Sequence, residues 1–230
     1  MCFSAAVSFG ASAVLSVTGM ATLRKSGKPA QIMFAAIPLI FAVQQASEGL
    51  VWLALLHPGY SLWLKPATYT FLTFAQVIWP SWVPCSILLL ETDKPRKKIL
   101  YIVSGLGLLV SFYLAYRLMT QPIHAAIAGM HIFYSLGDMN SALHDSAVLY
   151  FIATVIPPFI SSVKKMWLFG LSIGIAYSIT HLFFEDYELS VWCFFAAIIS
   201  IVVFIVLFRR QQTLPGIAGP EALKPSVKLS

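Results

Sequence analysis

Long apolar runs, broken by short loops, leave this chain little choice of solvent. Most of the runs exceed the roughly 18 residues that separate a membrane-spanning helix from a buried core helix. The expected spans are residues 4–23, 31–56, 66–90, 99–118, 147–162, 166–184 and 189–208. Charged residues make up 10% of the chain, against about 25% in a soluble domain. So few charges cannot cover a water-facing surface of this size. The expected architecture is an all-α integral membrane bundle of seven helices over residues 1–210, followed by a flexible tail at 211–230.

Basic residues fall in every second break. Arg24, Lys25 and Lys28 follow the first run, and Lys94, Arg96, Lys97 and Lys98 the third. Lys164 and Lys165 follow the fifth; Arg209, Arg210, Lys224 and Lys228 follow the seventh. Only Lys65 and Arg117 lie on the other side. Cytoplasmic loops retain Lys and Arg, so this alternation predicts an outside N-terminus and a cytoplasmic C-terminus. The outer loops are acidic, with Asp138, Asp145, Glu185, Asp186 and Glu188.

The net charge of +6 does not point to nucleic acid. It is spread over loops beside spans, and no basic face with interleaved aromatics exists to stack bases. The expected partners are the lipid bilayer and a small-molecule or lipid ligand, and no protein partner is legible. The N-terminus reads as a first span rather than a signal peptide, since no basic residue precedes its apolar stretch.

Two segments are irregular. Residues 122–136 are apolar but too short to span about 30 Å as a helix. They are expected to form a short outer-side helix, either surface-lying or re-entrant, between the fourth and fifth spans. The fifth span ends at Pro157-Pro158, which should break or bend it.

Glu48 is the carboxylate placed inside an expected span. An ionisable group at membrane depth is expensive and suggests a functional site. Gln45, Glu48 and Trp52 share one helix face. At 1.5 Å per residue, Glu48 lies roughly 13 Å below the outer end of its span and Gln76 roughly 15 Å below the outer end of the next. The two can meet at one level. His181 near the outer end of the sixth span, with His131 and Tyr134 at i and i+3 in the short segment, completes an expected outward-facing ligand set: Gln45, Glu48, Gln76, His131, Tyr134 and His181. The bland reading is that such groups only bond neighbouring helices, at about 0.6 kcal/mol each.

Metal, cofactor and catalytic roles are weakly signalled. His131, His144 and His181 are expected on the outer side with Glu48 and Asp145, but no HExxH pair exists to fix a zinc ion. No GxSxG nucleophile motif is present. Cys2 and Cys193 both fall at the outer edge and form a candidate disulfide, whereas Cys85 reads as a packing thiol. Ser4, Ser8, Ser12 and Ser16 recur every four residues, a spacing that lets helices approach closely.

These residues resemble a family of small bacterial membrane proteins that opens with Met-Cys-Phe-Ser-Ala, here Met1 to Ala5. The likeness runs through Pro38-Leu39, Gln45, Glu48, Val51-Trp52, Leu90-Glu91, His131, Tyr134-Ser135 and Ala153-Thr154. It continues in Pro157-Pro158, Leu168-Phe169-Gly170 and Trp192-Cys193. The family has no established activity, so the resemblance implies a multi-pass protein of the bacterial cytoplasmic membrane and carries no catalytic residues.

The leading expectation is therefore a sensor, carrier or accessory subunit that binds a small or lipidic ligand in an outward-facing intramembrane pocket. The alternative is a membrane-embedded hydrolase or transferase acting on lipid at the outer leaflet, with Glu48 or His131 as acid/base, with or without a metal.

Overall fold

The structure is a computed structural model, described here for residues 4–129, 131–135, 139–183, 195 and 199–207, the side chains at 139–145 and 181–183 excepted. Cys2, Cys193 and the tail at 211–230 lie outside the described residues.

Helix α1 (Ala5–Arg24) begins at Ser4, whose hydroxyl accepts from the Val7 N–H. It packs closely on α3 (Ile37–Leu56). Small residues make that approach possible. A Cβ at Gly19 would come within 2.5 Å of Leu39 Cγ, and one at Gly49 within 2.9 Å of the Phe9 ring. Ser12 donates to the Ala42 carbonyl at 2.8 Å.

Prolines divide the second and third spans. Helix α2 (Pro29–Ala35) is separated from α3 by a turn at Ala36, two residues before Pro38, which has no N–H to continue the ladder. Trp82 Nε1 donates to the Met33 carbonyl at 2.9 Å, next to this break. A 3₁₀ segment (Pro58–Trp63) leads into α4 (Leu64–Leu72), then a π-turn (Thr73–Ile78), then α5 (Trp79–Leu90). Pro80 cannot donate to the carbonyl of Gln76, and the widened π-turn relieves that clash. Pro84 likewise leaves the Pro80 carbonyl without an N–H donor at i+4. Gly107 of α6 (Lys94–Thr120) lies directly against this oxygen.

The segment after α6 departs from expectation. Instead of a short outer-side helix it forms an antiparallel hairpin, β1 (His124–Ala128) with β2 (His131–Ser135). Ala128 pairs with His131, leaving a two-residue turn, and Gly129 at φ 62° supplies the positive φ such a turn needs. Burial alternates along β2, with Ile132 and Tyr134 inward and Phe133 outward. Period two outweighs the i, i+3 spacing of His131 and Tyr134. In a strand those two residues point to opposite faces.

Helix α7 (Met139–Val155) starts earlier than the expected fifth span. The break at Ile156 and the short α8 (Pro157–Ile160) follow the double proline as anticipated. Helix α9 (Met166–Phe183) comes next, and residues 199–207 are helical.

Two apolar clusters fill the interior. One joins Leu15, Phe34, Phe41, Trp79, Ile87, Leu100, Met166, Phe169 and Val203, with Leu23 and Val163 packed against it. It includes or touches Leu23, Leu90, Leu100, Val163 and Met166, which flank the basic breaks at 24–28, 94–98 and 164–165, and we call this the basic end. The other joins Val51, Trp52, Phe71, Leu72, Leu114, Leu118, Ile132 and Tyr134, at the hairpin end. Tyr150 packs against both.

Among the described residues, four helical segments are long and apolar enough to cross a membrane: Ala5–Arg24, Pro29–Leu56, Pro58–Leu90 and Lys94–Thr120. The outward surface of α6 is correspondingly apolar, with Ile102, Leu109 and Phe112 each about 70% exposed.

Candidate functional site

The register of α3 against the π-turn and α5 is set by one hydrogen bond. Trp79 Nε1 donates to Gln44 Oε1 at 3.0 Å between buried side chains. The segments run antiparallel, so Glu48, one turn after Gln44, stands level with Ala75 and Gln76, one turn before Trp79. Glu48 and Gln76 thus stand at a similar height along their segments.

The bonding within that layer is specific. Gln45 Nε2 donates to Glu48 Oε2 at 3.4 Å, a long contact across one helical turn. Tyr150, from α7, donates through its hydroxyl to the Ala75 carbonyl at 2.9 Å. Gln76 bonds to none of them. Its amide nitrogen and oxygen are both buried without a hydrogen-bond partner among the described residues, at 1% side-chain exposure.

Further buried groups without a hydrogen-bond partner among the described residues stand on the same half of the protein. Trp52 Nε1 lies one turn beyond Glu48 on α3, the Thr68 hydroxyl two turns before Gln76, and the Ser8 and Ser111 hydroxyls on α1 and α6. All are buried. Each unmet donor or acceptor carries a desolvation cost of about 1–3 kcal/mol. Such groups in native proteins nearly always have a partner, including water or a ligand.

The hairpin contributes less than expected. Tyr134 stacks on Phe71 with ring centroids 5.0 Å apart and sits in the apolar cluster. His131, on the other strand face, has its pKa lowered by burial. His181 belongs to α9, and its side chain lies outside the described residues. Tyr177, one turn earlier, packs against Phe151 with tilted rings, centroids 5.3 Å apart.

Sequence reasoning overlooked a second buried carboxylate, Glu91, at the basic end. It caps α5 and is 2% exposed. Its oxygens accept from the Thr92 and Asp93 N–H groups at 2.8 and 2.9 Å, the Ser161 hydroxyl at 3.1 Å and the Ser162 N–H at 2.6 Å. The Ser162 hydroxyl also donates to it in a short bond. Burial pushes the carboxyl up, but the Ser162 hydroxyl and three backbone N–H groups together outweigh it and hold the pKa at about 2. Arg96 Nη1 adds a bond to the Ile160 carbonyl at 3.2 Å. Glu91 and Arg96 thereby latch the α5–α6 loop to the α8–α9 loop. No local pattern marks it: Glu91 shares its basic loop with Asp93, and its partners Ser161 and Ser162 lie 70 and 71 residues away. Proximity to Lys94 makes Glu91 read as solvated.

No cluster of three or more His, Cys, Asp or Glu residues suited to a metal occurs among the described residues. Cys85 is a half-buried free thiol.

The four membrane-length apolar segments among the described residues place the chain among helical membrane proteins. It belongs to a family of unknown function, DUF6629, whose model matches residues 1–217. No curated protein and no solved structure matches it.

Proposed function

We propose that this is a seven-span protein of the bacterial cytoplasmic membrane, N-terminus outside, that binds a small or lipidic ligand in the hairpin-end half of its bundle. The observation that carries this reading is Gln76. A buried amide with neither atom partnered is unstable unless something other than the described side chains bonds it. Glu48 and Gln45 stand at the same depth, and Trp52 offers a further N–H. A ligand with one donor and one acceptor would satisfy the Gln76 amide and draw on the carboxyl of Glu48.

Position supports an outward approach. The basic breaks converge at the opposite end, which the positive-inside bias assigns to the cytoplasm. Glu48 itself is fully enclosed, so a ligand reaching it from the hairpin end needs the helices there to part. Such a motif suits a sensor, carrier or accessory subunit.

Native mass spectrometry of the protein released from mild detergent tests this. Wild type should carry a non-protein adduct that Gln76→Leu and Glu48→Gln lose, while the distant Glu91→Gln variant keeps it. Equal spectra for wild type and Gln76→Leu would overturn the reading.

A further inference from the structure

A groove of about 450 Å³ opens at the hairpin end, between the start of α4 and the strand β1. Its polar lining is Ser61, Lys65, Thr68, Tyr69 and His124, and Leu64 and Ile123 supply an apolar wall. Three independent features single it out.

The first is charge. Lys65 is one of only two basic residues outside the basic breaks, and the other, Arg117, interacts within the protein. A lysine kept against the charge bias has no topological use. Its ammonium stands 6.0 Å from the Tyr69 ring centroid, held over the groove by a cation–π contact.

The second is Thr68. Its neighbours Thr70 and Thr73 turn their hydroxyls back to the carbonyls of Pro66 and Tyr69, at 2.8 and 2.7 Å. Thr68 forms no such bond, although it is only 3% exposed and lines the groove. Its hydroxyl is buried with no hydrogen-bond partner among the described residues.

The third is depth. The adjoining 3₁₀ segment exposes Tyr60, Leu62 and Trp63, with Leu62 at 89%. Aromatic and apolar residues at the end of a span mark the headgroup level of a bilayer. The groove therefore opens where lipid phosphates lie.

We propose that this groove is a binding site for the phosphate headgroup of an anionic phospholipid. Lys65 pairs with the phosphate charge, the Thr68 hydroxyl donates to a phosphate oxygen, and the Leu64–Ile123 wall takes the first part of an acyl chain. The site does not depend on the Gln76 layer, which lies two turns beyond Thr68 in the π-turn that follows α4.

Thermal unfolding in dodecyl maltoside, titrated with phosphatidylglycerol, phosphatidylcholine or inorganic phosphate at matched ionic strength, tests it. Phosphatidylglycerol should raise the midpoint of wild type and of Lys65→Arg. Lys65→Gln should need about fivefold more of it, the factor expected for one basic residue at a membrane surface. Thr68→Val should also need more while unfolding no earlier than wild type without lipid, because it removes an unmet hydroxyl. An equal response to phosphatidylcholine, a Lys65-dependent response to inorganic phosphate alone, or an unaltered titration for Lys65→Gln would each overturn the proposal.

Discussion

The Tyr150 hydroxyl donates to the Ala75 carbonyl at 2.9 Å, and that carbonyl belongs to the π-turn that carries Gln76. One side chain from α7 thus secures an irregular backbone segment whose own hydrogen bonding Pro80 disturbs. Widened turns of this kind recur at functional positions because they re-aim a side chain.

Tyr150→Phe removes the hydroxyl that bonds the Ala75 carbonyl and keeps the ring. The expected loss is about 1 kcal/mol of stability, as for a typical intramolecular hydrogen bond. If the turn relaxes, the same variant also weakens retention of any ligand bonded to Gln76. Thermal unfolding in detergent measures the first effect, and an unchanged midpoint would show that the bond contributes nothing.

Gly107 should be intolerant of any side chain. A Cβ there would overlap the Pro80 carbonyl oxygen, which is fixed backbone and cannot swing aside. Overpacking costs about 1–3 kcal/mol, and here it forces α5 and α6 apart. Gly107→Ala is expected to fold poorly. Gly105→Ala, with open space around its Cβ, is expected to match wild type. Comparing the monodisperse yield of the two variants settles the point.

The Glu91 latch makes stability depend on acid pH. Its folded pKa of about 2 lies below the ordinary value of 4.5, so the unfolded chain takes up the proton first. The contribution is fully present above about pH 4.5 and is lost as pH falls towards 2. Its size is about 3 kcal/mol. Glu91→Gln should lose most of that contribution at pH 7, and its stability should vary less than wild type's below pH 4.5. Parallel pH profiles for the two proteins would refute the latch.

Much of this architecture is readable in the sequence because the bilayer imposes it. The long apolar runs and the alternation of Lys and Arg are consequences of solvent, and Pro157-Pro158 breaks its helix for local steric reasons. The common depth of Glu48 and Gln76 follows from helix rise alone. The hairpin is not legible because an apolar segment too short to span fits a short helix equally well, while the pairing that decides the matter involves Gly129 and residues across the turn. Gln44 and Glu91 were missed for a different reason. What makes each significant is a partner far away in sequence, Trp79 for one and Ser161-Ser162 for the other, and no local pattern announces such a pair.

The proposed orientation is open to a labelling test. A thiol introduced at Ala126, on the exposed hairpin, should react with an impermeant maleimide in intact cells, and one at Lys97 only after permeabilisation. The opposite pattern would place the hairpin, and with it the Gln76 layer, on the cytoplasmic side.

The central claim is that Gln76 is completed by something that is not protein. A high-resolution map of the protein in lipid nanodiscs tests it most directly. The account predicts non-protein density within hydrogen-bonding distance of the Gln76 amide and level with Glu48. An empty site, or an amide turned to bond Glu48 or another side chain of the chain itself, would contradict it.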